Sequence, residues 1–348
     1  MERDTAVADE RAGEVAAVDV PLERRFFNLR TAASFAVAFV IMYFALSRID
    51  VDPGDILAHI RQANIGVYVI AFAVYYLSFP VRAWRWQLLL ANVGYRRSTH
   101  KGLPSLPGLA EIIFLSWFAN CIVPAKLGDA YRGYLLKRSA DVSFSRTMGT
   151  VLAERVSDML VLFVLMGLTG LRIFGGYLPA AVVYLFSAGL ALVLIVIAAL
   201  VVMKRFGQHV ERVLPGRLRE VYGRFAEGTL HSFRNLPLLL LLTIIVWAIE
   251  AARLWLILWA LGLLNVSLLV VIFTSLAASL LTTLPVTPAG LGLVESGIIA
   301  ILLFLNSIGT VQGVSQSLAS SAAILDRTIS YWSVVVIGMV VYVITRRK

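Results

Sequence analysis

The stretch Pro285-Val286-Thr287-Pro288-Ala289-Gly290-Leu291-Gly292-Leu293-Val294-Glu295 lies inside a long apolar tract, yet holds two prolines, two glycines and a carboxylate. Proline and glycine break regular structure, and a carboxylate is costly in hydrocarbon. A segment that only crossed a bilayer would need none of them. An earlier stretch is similar in composition: Val123-Pro124-Ala125-Lys126-Leu127-Gly128-Asp129-Ala130-Tyr131-Arg132. Both are expected to be breaks that line a functional site, with Pro124, Gly128, Pro285, Pro288, Gly290 and Gly292 as the breaking residues.

Outward from these breaks the chain is apolar. Of 348 residues, 59% are hydrophobic and 15% charged, where a soluble domain carries about 25% charged residues. Apolar tracts near the length of a membrane span, about 20 residues, recur from Phe35 to Tyr342 without period-2 alternation. The expected fold is an all-α, polytopic membrane helical bundle. The lone Cys121 excludes an internal disulfide and a cysteine metal cluster. The net charge of +10 is read as Lys and Arg gathered in cytoplasmic loops beside anionic lipid, not as a nucleic-acid footprint.

Residues 1–25 are polar and mixed in charge, and are expected to form a disordered cytoplasmic tail; residues 26–348 form one transmembrane domain. Spans are expected at about Thr31–Leu46, Ile65–Leu90, Met148–Leu171, Leu178–Met203, Pro237–Leu261 and Leu318–Ile344. Arg82, Trp84, Arg85 and Trp86 suit the headgroup level, as an interfacial anchor or a lipid contact. Leu109–Val123 is short for a span and has basic residues on both sides, which suggests a re-entrant helix. The pieces Ser267–Leu284 and Ser296–Leu305 flank the second break and are expected to dip from the opposite face. Residues 204–235 read as a basic amphipathic segment on the cytoplasmic surface. The Lys/Arg bias places both termini in the cytoplasm of a multi-pass cell-membrane protein. Two breaks entering from opposite faces are compatible with an inverted repeat, which would put a substrate site near the midplane.

Ionisable residues stand inside several spans. Glu154 and Asp158 are four apart and share a helical face, with Arg155 beside them. Glu250 and Arg253 are three apart and can pair. Arg155 and Arg327 are the expected partners of Glu295. Arg155, Asp158, Glu295 and Arg327 can equally form a buried structural ion network.

Five pieces together resemble the lysylphosphatidylglycerol synthase transmembrane region family, also called the flippase-like domain. They are Arg82-Ala83-Trp84-Arg85-Trp86-Gln87-Leu88-Leu89, Pro124 to Asp129 with Arg132, Glu154-Arg155 with Asp158, Pro285 to Glu295, and Arg327. Asp129 stands where the family pattern has Glu, and Ala289 where it has Gly. In bifunctional members the membrane region carries aminoacylated lipid across the bilayer and a separate domain makes that lipid. The chain ends four residues after its last expected span, so the resemblance implies a stand-alone flippase-like protein.

For such a task Lys126, Arg132 and Arg155 can meet a lipid phosphate, joined by Arg82 and Arg85. Asp129, Glu154, Asp158 and Glu295 can meet cationic groups or offset the arginines. Arg327 completes the candidate substrate-binding set. The expected partners are membrane lipids with anionic or aminoacylated headgroups, besides a second copy of the chain or an envelope-pathway enzyme. No cofactor, metal or nucleic acid is expected. An intramembrane lipid-modifying enzyme would call for a nucleophile–base pair or a metal cluster. His59, His100, His209 and His231 are dispersed instead, and no HExxH or GxSxG motif occurs. A scaffold subunit of an envelope lipid or glycan pathway is the third reading.

Overall fold

A computed structural model describes residue 36 and residues 52–100, 102–123, 127–175, 180–282 and 287–346. The expected tail, all but one residue of the expected first span, and Pro124, Lys126 and Pro285 lie outside the described residues. The described residues form helices and turns without a strand.

A short helix α1 (Pro53–Gln62) starts with proline at its first position, and the Asp52 side chain accepts from the Gly54 N–H at 2.8 Å. Helix α2 (Ile65–Asn92) is capped by Asn64, which accepts from the Val67 N–H. Then come α3 (Leu106–Ile122), α4 (Leu127–Ala140), α5 (Phe144–Ile173) and α6 (Ala180–Val213). Helix α7 (Gly216–Ser232) passes through a 3₁₀ turn at Phe233–Asn235 into α8 (Leu236–Ala260). Helix α9 (Leu268–Leu281) precedes the second break, a 3₁₀ turn at Pro288–Gly290, and α10 (Leu293–Ser307) follows it. Helix α11 (Gln316–Arg327), a π turn at Thr328–Trp332 and α12 (Ser333–Arg346) end the chain.

Six helical stretches are long and apolar enough to cross a membrane: Ile65–Asn92, Phe144–Ile173, Gly189–Val213, Gly216–Ala260, Pro288–Ser307 and Gln316–Thr345. The protein is a multi-pass helical bundle. Helices α3 and α9 are apolar but only 17 and 14 residues long, below the roughly 20 residues that a span needs.

Helix α2 packs along α8. Its face carries Tyr75, Phe79, Ala83 and Trp86, and the facing stripe of α8 buries Leu239, Leu242, Val246 and Ile257. Phe79 meets Phe114 of α3 edge-on at 5.0 Å between centroids, so α3 is held against α2 by aromatic packing. Helix α3 also packs on α4, α12 and the Pro288–Gly290 turn, and this brings the two breaks together.

Two elements differ from the expectation. The segment 204–235 is not a surface helix throughout. Its first ten residues continue α6 to Val213, and the last turns of α7 bury Ala226, Gly228, Thr229 and Ser232 against α5. The physical reason is a glycine contact. A Cβ on Gly228 would overlap the Arg146 carbonyl oxygen, and one on Gly149 would overlap the Phe225 carbonyl oxygen. With neither Cβ present, the two backbones approach directly, and Arg146 pairs with Glu227 at 2.5 Å beside the crossing. The last span is also not one regular helix. The π turn begins directly after Arg327.

Candidate functional site

The second break shows how the sequence builds the site. Ala289, Gly290 and Gly292 all take positive φ, at 45°, 72° and 84°. Glycine adopts this region freely and alanine with strain. The Glu295 carboxylate accepts from the Gly292 N–H at 2.7 Å and from Arg327 Nε at 2.9 Å, while Arg327 Nη2 donates to the Ala289 carbonyl at 3.1 Å. One ion pair therefore both starts α10 and ties the turn to α11. Pro288 and Gly290 are buried in this turn. At the first break, Gly128 donates its N–H to Asn120 Oδ1 at 2.8 Å, and a Cβ there would overlap the Ser116 carbonyl oxygen. The two breaks are alike in one further respect: Asp129 and Glu295 are each the third residue of the following helix, and each pairs with an arginine from another helix.

Six arginines and six carboxylates are paired in three groups. In the first, Arg85 donates to Asp158 at 2.5 Å, Glu154 at 2.7 Å and Thr243 at 3.0 Å. Arg132 meets the other Glu154 oxygen at 2.8 Å and lies over the Trp86 ring at 3.8 Å. Arg155 forks onto Asp129, Nε to Oδ2 at 3.0 Å and Nη2 to Oδ1 at 2.7 Å. In the second, Glu250 takes Arg82 at 2.7 Å and Arg253 at 2.5 Å, and Arg253 reaches Asp326 at 2.9 Å. Arg82 lies over Trp117 at 4.4 Å and Arg253 over Tyr75 at 5.1 Å. The third group is Arg327 with Glu295.

A cavity of about 460 Å³ lies between the groups, within the range of small-ligand sites. Both breaks line it, through Asn120, Val123 and Asp129 on one side and Thr287, Pro288 and Ala289 on the other. Eight charged residues face it: Arg82, Asp129, Arg155, Asp158, Glu250, Arg253, Asp326 and Arg327. Each has an opposite charge at 2.5–2.9 Å. Met159, Leu162, Phe163 and Met166 of α5 and Leu192 and Val193 of α6 make an apolar wall, and α6 carries exposed apolar side chains such as Leu190 and Leu194. Trp247 Nε1, Ser275 Oγ and Thr287 Oγ1 belong to wall residues and have no hydrogen-bond partner among the described residues.

Of the sequence-predicted residues, Arg82, Asp129, Arg155, Asp158 and Arg327 line the cavity; Arg85 and Glu295 stand behind it, paired with Asp158 and Arg327, and Glu154 and Arg132 lie one partner further back. Arg82 and Arg85 face the protein interior, where each is paired with carboxylates. Both are buried, because positions 82, 85 and 86 share the α2 face that meets α5 and α8, while Trp84 points outward and is 51% exposed. Arg155 does not reach Glu295, since Asp129 and Asp158 occupy it. The expected network of Arg155, Asp158, Glu295 and Arg327 is therefore split in two. The Glu250–Arg253 pair forms as expected. Asp326, beside Arg327 in an apolar span, and Thr287, within the second break, are cavity residues that the candidate set omits; Trp247 and Ser275 look like ordinary helix residues.

Residues 31–338 match the family described as "Lysylphosphatidylglycerol synthase TM region". Among similar proteins, a "UPF0104 membrane protein" of Methanocaldococcus jannaschii is 35% identical over 66% of this chain and 95% of its own length. The "Glycosyltransferase AglD" of Haloferax volcanii is 25% identical over 83% of this chain but only 50% of its own. A "UPF0104 membrane protein" of Methanothermobacter thermautotrophicus is 23% identical over 87% of this chain and 93% of its own. The three groups of paired charges, both breaks, five of the six apolar stretches and most of the sixth fall inside the matched range, and the chain belongs to the lysylphosphatidylglycerol synthase transmembrane region family.

Proposed function

We propose that the protein moves a polar-headgroup lipid, an aminoacylated phospholipid or a polyprenyl-linked glycolipid, between the two leaflets of the membrane. The observation that carries this reading is the cavity itself. It joins paired charges and neutral polar groups to an apolar wall, among helices long enough to cross a bilayer. A headgroup crossing hydrocarbon needs polar partners to replace its water, while its tails need an apolar exit. The charged side suits the headgroup. The wall of α5 and α6 suits the first part of the tails. Every cavity charge already has a partner, so the site holds no net charge to trap a ligand permanently. The Lys/Arg bias supports an orientation with both termini in the cytoplasm.

A second reading is a non-catalytic subunit that holds an envelope lipid or glycan enzyme. It is favoured by the relative named a glycosyltransferase, in which the matching sequence is half of a longer protein. Reconstitution in liposomes with fluorescent phospholipids, aminoacylated phospholipids and polyprenyl-linked glycolipids separates the two. Protein-dependent movement of one class between leaflets is the expected result. If none of these lipids moves faster than in protein-free vesicles, the transport reading fails.

A further inference from the structure

Among the cavity's ion pairs, Arg155 with Asp129 differs from the rest. The Arg155 side chain is 35% exposed and that of Asp129 17%, whereas Arg82, Glu250, Arg253 and Asp326 are nearly sealed. Asp129 accepts at both oxygens from Arg155 and has no other hydrogen-bond partner among the described residues. Glu295, by contrast, also caps a helix, and Arg327 also holds the Ala289 carbonyl. Arg155 has capacity left over. Its Nη1 stands 3.8 Å from Asp158, beyond hydrogen-bond reach. Asp129 lies in the first turn of α4, a 14-residue helix whose N-terminal end favours negative charge. A carboxylate forked on a guanidinium presents two oxygens in the arrangement that a phosphate would use.

We infer that Asp129 is a built-in competitor for a phosphate: Arg155 exchanges the Asp129 carboxylate for the phosphate of the lipid headgroup. This inference rests on the lipid-transport reading and names the chemistry of that site. The ligand is a phosphate-bearing headgroup, and Asp129 sets how tightly it is held. The resting pair lowers apparent affinity, because only the fraction of molecules with Arg155 released can bind, and this keeps the headgroup free to leave. When the headgroup departs, Asp129 refills the site, so Arg155 is not left unpaired in the membrane interior.

The test is calorimetric binding to purified protein in detergent, with three probes: dihexanoyl phosphatidylglycerol, dihexanoylglycerol glucoside, which has no phosphate, and inorganic phosphate. Asp129→Asn leaves Arg155 its neighbour Asp158, and its folded state is checked by thermal melting. Expected is about tenfold tighter binding of the phosphatidyl lipid to Asp129→Asn, with the glucoside unchanged. Adding Arg155→Gln should abolish the gain. Unchanged or weaker binding of the phosphatidyl lipid in folded Asp129→Asn overturns the proposal, as does an equal gain for the glucoside, which would indicate a loosened cavity. If inorganic phosphate binds as tightly as the lipid, the site takes a free anion and the lipid assignment falls. A tenfold gain in a protein that moves no lipid in liposomes would support the exchange and sink the transport reading, so the two can fail separately.

Discussion

Arg85 and Arg155 contact the same carboxylate, Asp158, yet they have different consequences. Arg85 is fully buried and pairs with both Glu154, which it shares with Arg132, and Asp158. Removing one partner of a buried ion group costs about 3–5 kcal/mol. Arg85→Leu should therefore lower folded yield and thermal stability by that order, measured by thermal melting in detergent. Arg155 is partly wet, and its ion pairs are discounted accordingly. Arg155→Ala should change stability little and abolish transport, which a melting curve alongside a liposome assay would reveal. Ala289 supplies a third case. At φ 45° it sits in a region where a Cβ costs about 1–2 kcal/mol, and glycine has an offsetting unfolded-state cost of roughly 0.5–1 kcal/mol. Ala289→Gly should raise stability by up to about 1 kcal/mol, read in the same melting assay. An unchanged or lower melting temperature would mean that the turn is not strained.

At the scale of elements, the close crossing of α5 and α7 is the sharpest constraint. Gly228→Val should separate the helices, break the nearby Arg146–Glu227 pair and cost stability of order 1–3 kcal/mol by overpacking. The same substitution at Gly216, which has open space around it, should be near neutral. The elements themselves were legible in the sequence to different degrees. Spans such as α2 and α5 follow from the length of an apolar run, and the second break from two prolines and two glycines in hydrocarbon. The inward set of Arg82, Arg85 and Trp86 has helical spacing, but the sequence does not say whether that face meets lipid headgroups or carboxylates. Pairings across the fold were not legible. Arg85 lies 73 residues from Asp158, and only the packing of α2 against α5 joins them. The burial of α7 was hidden for the same reason, since a glycine such as Gly149 reveals its use only when its counterpart on another helix is known.

For the whole molecule, the central claim is that one cavity between the two breaks is the path of a lipid headgroup. Most of the charges around it, Arg155 apart, also hold the bundle together, so removing them confounds path with stability. A plug avoids this. Ser279 lines the cavity from α9, is half-buried, and takes part in no ion pair; its hydroxyl only donates to the Ser275 carbonyl of its own helix. Ser279→Trp places an indole in the space while leaving every arginine and carboxylate in place. The decisive measurement is the rate at which the lipid class moved by the wild type crosses between leaflets in liposomes containing Ser279→Trp, with the melting temperature recorded for the same preparation. A folded variant with wild-type stability and transport reduced to the protein-free rate is the predicted result. A folded variant that still moves lipid at the wild-type rate would contradict the account.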